Sequence, residues 1–257
     1  GMKYLDIKNY PMALKYFRMV NEKKIEDARY YKTLATTLSS MNIDYTEFQK
    51  ELIEFEEYNK SLTNNEKKLE NYNSLTNIYM SYKGSLDNAN DKIIDLTSTA
   101  IELLNRIDND TITLTYEAGF INKIAQAYHS KGINEKDKSV AKEYFEMAIE
   151  NYETLLDMDG RDREGTLIKI AEIYNDLGNS TRAIDQLDRT IAEYPNSLKA
   201  YIKTINILLD IESLKTENER NYSQAIAKYN SAANIQGSSE DLEFKKIIRR
   251  LSNLGLT

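Results

Sequence analysis

"IAEIYNDLGNSTRAIDQLDRTIAEYP", residues 170–195, decides the fold. Leu167, Ile170, Ala171 and Tyr174 recur at three- and four-residue steps before Gly178, so they share one helix face. Ala183, Leu187 and Ile191 repeat the pattern after it. Gly178 can adopt the left-handed backbone that closes a helix without a Cβ penalty, and Pro195 stops the second run. The stretch reads as a helix–turn–helix hairpin, with Ala171 and Ala183 small because the two helices approach closely there.

A lone hairpin cannot bury its apolar face, so neighbours are required. Thirty-four residues after Leu167 stands Tyr201, followed by Ala225, Tyr229 and Ala232 as a second helix. Upstream, Ala125, Tyr128 and Gly132 mark a first helix, with Ala141, Phe145 and Ala148 as its partner. The links inside these two hairpins, "SLKTENERN" and "INEKDKS", are longer than in the opening stretch. Farther back the pattern weakens. Tyr72, Leu75 and Tyr79 pair with Ile93, Leu96, Ala100 and Leu104. Tyr31, Leu34, Ala35 and Leu38 pair with Tyr45, Phe48, Leu52 and Phe55. "NYPMALKYF" fits a second helix preceded by a shortened first one, either a native capping helix or a clipped repeat. At the other end, "DLEFKKIIRRLSNLGL" sets Leu242, Phe244, Ile247, Ile248, Leu251 and Leu254 against Lys245, Lys246, Arg249 and Arg250. A capping helix over the last hairpin is the expectation there, ahead of a membrane-surface helix.

The register of Leu167, Ala171, Tyr174, Gly178, Ala183 and Pro195 resembles the tetratricopeptide repeat, a 34-residue helical hairpin. Leu167 and Ala171 stand where that pattern usually has tryptophan and glycine. The resemblance implies an all-α, right-handed α-solenoid of stacked helix–turn–helix repeats with a C-terminal capping helix. The expected organisation is one domain over 1–257: degenerate repeats over 1–116 with the first truncated, clearer repeats over 117–236, and a cap over 240–257. In that family the first helices of successive repeats line a concave face. Its groove positions, carried over residue by residue, are Asn73 and Asn77; Asn122, Lys123, Gln126 and His129; Lys169, Glu172 and Asn175; and Lys199, Lys203 and Asn206. The amides could pair with the backbone of an extended peptide, although asparagine is common throughout this chain. Lys123, Lys169 and Lys203 share one repeat position and would form a row, or stand as separate solvated lysines. Lys199 and Lys203 match the Lys and Arg with which some members hold a terminal carboxylate, whereas Asn122, Gln126 and Lys169 depart from that pattern. A protein or peptide partner follows, with an acidic or C-terminal segment as the finer expectation. The alternative is a sensor or regulatory portion of a larger signalling protein, such as a membrane-anchored bacterial serine/threonine kinase.

Composition excludes much else. The chain has 257 residues, two prolines, nine glycines, no cysteine and a net charge of −7. Interspersed charges argue against nucleic acid, which needs a concentrated basic face. No apolar run reaches the roughly 20 residues of a membrane span. Without cysteine there is no disulfide or thiolate metal site, and zero cysteine suits the cytoplasm as well as the outside of a Gram-positive-type cell. Gly1 before Met2 reads as a protease-cleavage scar, which leaves room for an upstream anchor. No glycine-rich phosphate loop is present, and His129 is the sole histidine, so no catalytic, metal or cofactor site is expected. "DMDGRDREG" fails calcium-loop spacing, since Gly160 is fourth and Ile168 twelfth from Asp157. Sequons at Asn59, Asn109, Asn179 and Asn221 are read as chance in an asparagine-rich chain.

Overall fold

A computed structural model describes residues 3–4, 8–21, 33–34, 37, 45–107, 109–158 and 162–256. The described residues form eleven α-helices and no strand. In chain order these are α1 (Tyr10–Asn21), α2 (Thr46–Ser61), α3 (Asn65–Ser81), α4 (Ala89–Leu104), α5 (Asp110–Asn134) and α6 (Lys138–Leu156). They continue with α7 (Arg163–Asp176), α8 (Ser180–Glu193), α9 (Leu198–Ser213), α10 (Ser223–Ala233) and α11 (Leu242–Asn253). The chain divides into two compact units, 1–151 and 152–257, with the boundary inside α6.

Helix ends follow from short polar side chains. Asn64, Asn109, Asp162, Asn179, Ser197 and Asp241 each accept a backbone N–H of the first turn of the helix they precede. Each satisfies a donor that the helix leaves unpaired. Part of the asparagine richness is therefore capping chemistry, and two of the four sequons, at Asn109 and Asn179, begin on such caps. Gly178 has φ +78°. Its N–H meets the Asn175 carbonyl at 2.8 Å, and the Asn179 N–H reaches Tyr174 O at 2.9 Å. This left-handed closure ends α7 as the glycine's position predicts.

In the first unit α3 packs on α4 and on α5, and α4 on α5. Leu69, Leu75, Tyr79, Ile93, Leu96, Ala100 and Phe120 are fully buried between them. The hairpin expected from Tyr72, Leu75 and Tyr79 against Ile93 to Leu104 is therefore present, as α3 and α4. The more N-terminal one is represented among the described residues by α2, with buried Phe48, Leu52 and Phe55, and by buried Leu34; Tyr31, Ala35 and Leu38 lie outside them. The link "INEKDKS" is shorter than it reads. Helix α5 runs on through Asn134, and Asp137 turns the chain into α6 by accepting the Ser139 N–H at 2.8 Å. Gly132 is thus inside a helix rather than at its end. A Cβ there would meet the Phe145 ring at 2.7 Å, so the glycine admits that ring.

In the second unit α7 packs on α8, α8 on α9, and α9 on both α10 and α11. Ala171, Ala183, Ala200 and Ala225 are all but fully buried where helices cross. Ala171→Leu and Ala183→Leu each insert volume into a filled contact and should cost about 1–3 kcal/mol in chemical denaturation; neutral outcomes at both would refute this helix register. The long link after α9 is ordered by its own contacts. Glu212 Oε2 accepts the Asn221 N–H at 2.7 Å, and Arg220 donates to Lys215 O and Ser213 O. Helix α11 buries Phe244, Ile247 and Leu251 against α9 and α10. Leu242 and Leu254, expected on that apolar side, are exposed, because the helix is only twelve residues long and its contact face uses its middle turns.

Candidate functional site

The expected groove residues lie on α3 and α5 in the first unit and on α7 and α9 in the second, always on the first helix of a hairpin. Most are half-buried; Asn77 and Lys199 are exposed. The two groups therefore occupy equivalent faces of separate units.

In the first unit Lys123 is drawn inward. Its Nζ donates to Asn73 Oδ1 at 2.6 Å, to Thr76 Oγ1 at 3.0 Å and towards the Asn73 carbonyl at 3.4 Å. The Phe120 ring lies 5.2 Å away, and no carboxylate among the described residues forms an ion pair with Lys123. Burial pushes its ammonium down to about 8, because neutral oxygens replace only part of the lost hydration. Lys123 and Asn73, expected to offer free polar groups to a ligand, thus spend much of that capacity on each other. Asn122 and Gln126, one turn apart on α5, make no side-chain hydrogen bond among the described residues and keep both donors and acceptors. His129 lies beside the Phe145 ring, 5.9 Å between centroids.

The displaced lysine has a pH signature. An unfolded lysine titrates near 10.4, about two units above Lys123 in the folded chain. Between about pH 8 and pH 10.4 the unfolded chain holds a proton that the folded one has released, so this site's contribution to stability rises with pH across that window. Lys123→Met should remove that rise. The check is urea denaturation of both proteins at pH 7.5 and 10; identical pH slopes would show that Lys123 is hydrated as in the unfolded chain.

In the second unit Lys169 Nζ is 2.7 Å from Glu172 Oε2, and Lys203 Nζ is 2.7 Å from Glu172 Oε1. Burial of Glu172 disfavours its charge, yet the two ammonium groups outweigh it and hold the carboxyl below the usual carboxylate range. Asn175 Oδ1 accepts from Ser180 Oγ at 3.1 Å. Asn206 accepts from Arg250 of α11 at 3.1 Å, and the same guanidinium meets Asp210 Oδ1 at 2.6 Å. The capping helix therefore continues the polar lining in the place of a further first helix. Asp210 and Arg250 were not legible as lining residues. Arg250 is four residues after Lys246 and reads as one more exposed charge of a basic face.

Residues 166–197 match the family model of the tetratricopeptide repeat. That is the hairpin α7–α8 with the turn that follows it. The chain carries a tetratricopeptide repeat. Among curated proteins none matches it by sequence. Solved structures of similar fold include IFIT1, as a monomeric mutant with Gppp-AAAA, at 14% identity and TM-score 0.53 over 95% of this chain and 49% of that one. A Podosopora anserina protein of nearly identical TPR-like repeats is similar at 14% identity and TM-score 0.50, over 82% and 95%. YrrB, a TPR protein with an unusual peptide-binding site, is 16% identical with TM-score 0.45, over 91% and 98%. Tetratricopeptide repeats generally mediate interactions between proteins through such helix faces. No helix among the described residues is long and apolar enough to cross a membrane, and no cluster of three or more metal-ligating residues occurs among them.

Proposed function

We propose that this tetratricopeptide-repeat chain is a non-catalytic scaffold that binds an extended peptide segment on its first-helix faces. The observation that carries the reading is the pair Asn122 and Gln126: half-buried amides, adjacent on one helix face, with unspent hydrogen-bonding capacity among the described residues. An amide that both donates and accepts suits a peptide backbone of any sequence, and half-burial already limits the water that would compete. In the second unit Lys169, Lys199 and Lys203 supply positive charge for an acidic side chain or a C-terminal carboxylate, with Asn175 and Asn206 alongside. In the first unit Asn73, Asn77, Lys123 and His129 complete the same face.

Selection of the full chain against a random peptide library, followed by calorimetry on the recovered peptides, tests this. Asn122→Ala with Gln126→Ala should weaken binding of peptides held by the first unit about tenfold, the loss of one or two net hydrogen bonds at about 0.5–1.5 kcal/mol each. Enrichment of no sequence, or recovered peptides indifferent to every first-helix substitution, would overturn the reading.

A further inference from the structure

The Lys169–Glu172–Lys203 cluster has the form of an occupied ligand site. One carboxylate oxygen faces one ammonium and the other oxygen faces the second, each at 2.7 Å. The two lysines stand 34 positions apart at equivalent places in consecutive hairpins, and Glu172 sits one turn from Lys169. The lysine side chains are 42% and 40% exposed, whereas the Glu172 side chain between them is 18% exposed. The lysine side chains are thus reachable from solvent while their shared anion is tucked inward.

We infer that Glu172 is a resident competitor: the chain's own carboxylate fills a two-lysine site on the α7–α9 face and sets the threshold at which an acidic segment binds there. The inference rests on the proposed role of this face in peptide binding. To bridge both ammonium groups as Glu172 does, one oxygen on each, a partner's carboxylate takes the place of Glu172, so one charge-assisted pair is exchanged for another of the same kind. The exchange itself is nearly neutral. Glu172 is moreover tethered to the site, with an effective concentration on the order of millimolar or more, against which a free monoanion at lower concentration competes poorly. Lys199, exposed one turn before Lys203, adds positive charge that an incoming ligand can meet first. Segments carrying several carboxylates are therefore favoured over a lone terminal carboxylate.

The experiment uses the full chain and a fluorescein-labelled hexaglutamate with a free C-terminus, with amidated hexaserine as the neutral control. Glu172→Gln should bind hexaglutamate at least tenfold more tightly than the natural chain. Adding Lys203→Gln to that variant should cancel the gain. Glu217→Gln, which removes one exposed negative charge from the link after α9, controls for bulk charge and should leave affinity unchanged. An equal gain in Glu217→Gln, or none in Glu172→Gln, would overturn the inference. Should Glu172→Gln fail to fold, the natural chain gives an independent reading. Saturating hexaglutamate should raise the titration midpoint of the Glu172 carboxyl, followed by carbon NMR, towards the ordinary carboxylate range; an unmoved midpoint would overturn the proposal. Library peptides that bind the face regardless of Glu172 would leave the scaffold role standing and remove the competitor. Failure of the library selection together with a tighter Glu172→Gln complex would do the reverse.

Discussion

Lys92→Met should destabilise the first unit by about 3 kcal/mol. The reason is Glu56. Its side chain is 3% exposed between α2, α3 and α4, with Oε1 accepting from Tyr79 Oη at 2.7 Å and Oε2 facing Lys92 Nζ at 2.6 Å. Removing the ammonium leaves a buried carboxylate with one neutral donor. Breaking a buried pair this way costs about 3–5 kcal/mol, and the lower end applies because Lys92 is 31% exposed and water can approach from its side. Tyr79→Phe should cost less, about 1–3 kcal/mol, since it removes one hydrogen bond and leaves the ion pair. Burial, reinforced by the adjacent Glu56, keeps the Tyr79 phenol protonated far above its ordinary range, so the hydroxyl donates at all working pH values. Equilibrium urea denaturation of the three proteins measures both effects. A Lys92→Met protein as stable as the natural chain would mean that Glu56 finds another donor or is hydrated.

The Glu56–Lys92 pair belongs to a wider pattern. Glu56 of α2 meets Lys92 of α4, and Asp91 of α4 meets Lys131 of α5. Asn73 of α3 meets Lys123 of α5. In the second unit Glu172 of α7 meets Lys203 of α9, Asp188 of α8 meets Lys228 of α10, and Asp210 of α9 meets Arg250 of α11. In each of these contacts between successive hairpins the acceptor stands on the earlier one and the cation on the later. The exposed pairs contribute little energy singly, about 0–1 kcal/mol. Their common direction disfavours a hairpin stacked upside down on its neighbour, because such a contact would oppose like charges.

The hairpins were legible because their apolar residues obey a short-range rule. Ala171, Gly178 and Ala183 are each dictated by a partner within one hairpin, so spacing alone reveals them. The polar lining follows a different logic. Whether Lys169 is free or engaged depends on Glu172 one turn away and on Lys203 one repeat away, and neither distance announces a bond. Glu172 was placed on the face by its repeat position, but not between two lysines. Lys123 read as one member of a lysine row, although Asn73, 50 positions earlier, draws it inward. The length of α5 was hidden for a related reason. "INEKDKS" is polar and looks like a link, yet its first two residues continue the helix, and only the docking of Phe145 on Gly132 shows where α5 and α6 meet.

Deletion of residues 240–257 is the second large perturbation. Phe244, Ile247 and Leu251 are each at most 2% exposed against α9 and α10. Burying such side chains contributes about 1.5–3 kcal/mol each, so the deletion forfeits roughly 5–9 kcal/mol of apolar burial, comparable to the whole stability of a small domain. It also uncovers Ile202, Ile205, Leu208 and Tyr229, a contiguous apolar face at an end that a polar helix otherwise covers. The expected result is a lower melting temperature for the second unit and self-association, seen by calorimetry and by sedimentation. Arg250→Met separates the polar from the apolar part. It removes the contacts to Asn206 and Asp210 but keeps the three buried side chains, and it should cost only about 1 kcal/mol, because Asp210 is largely exposed and rehydrates. A truncated chain that stays monomeric with an unchanged melting temperature would show that α11 does not cap this unit. A loss in Arg250→Met as large as in the truncation would place the stabilisation in the polar contact rather than in the buried face.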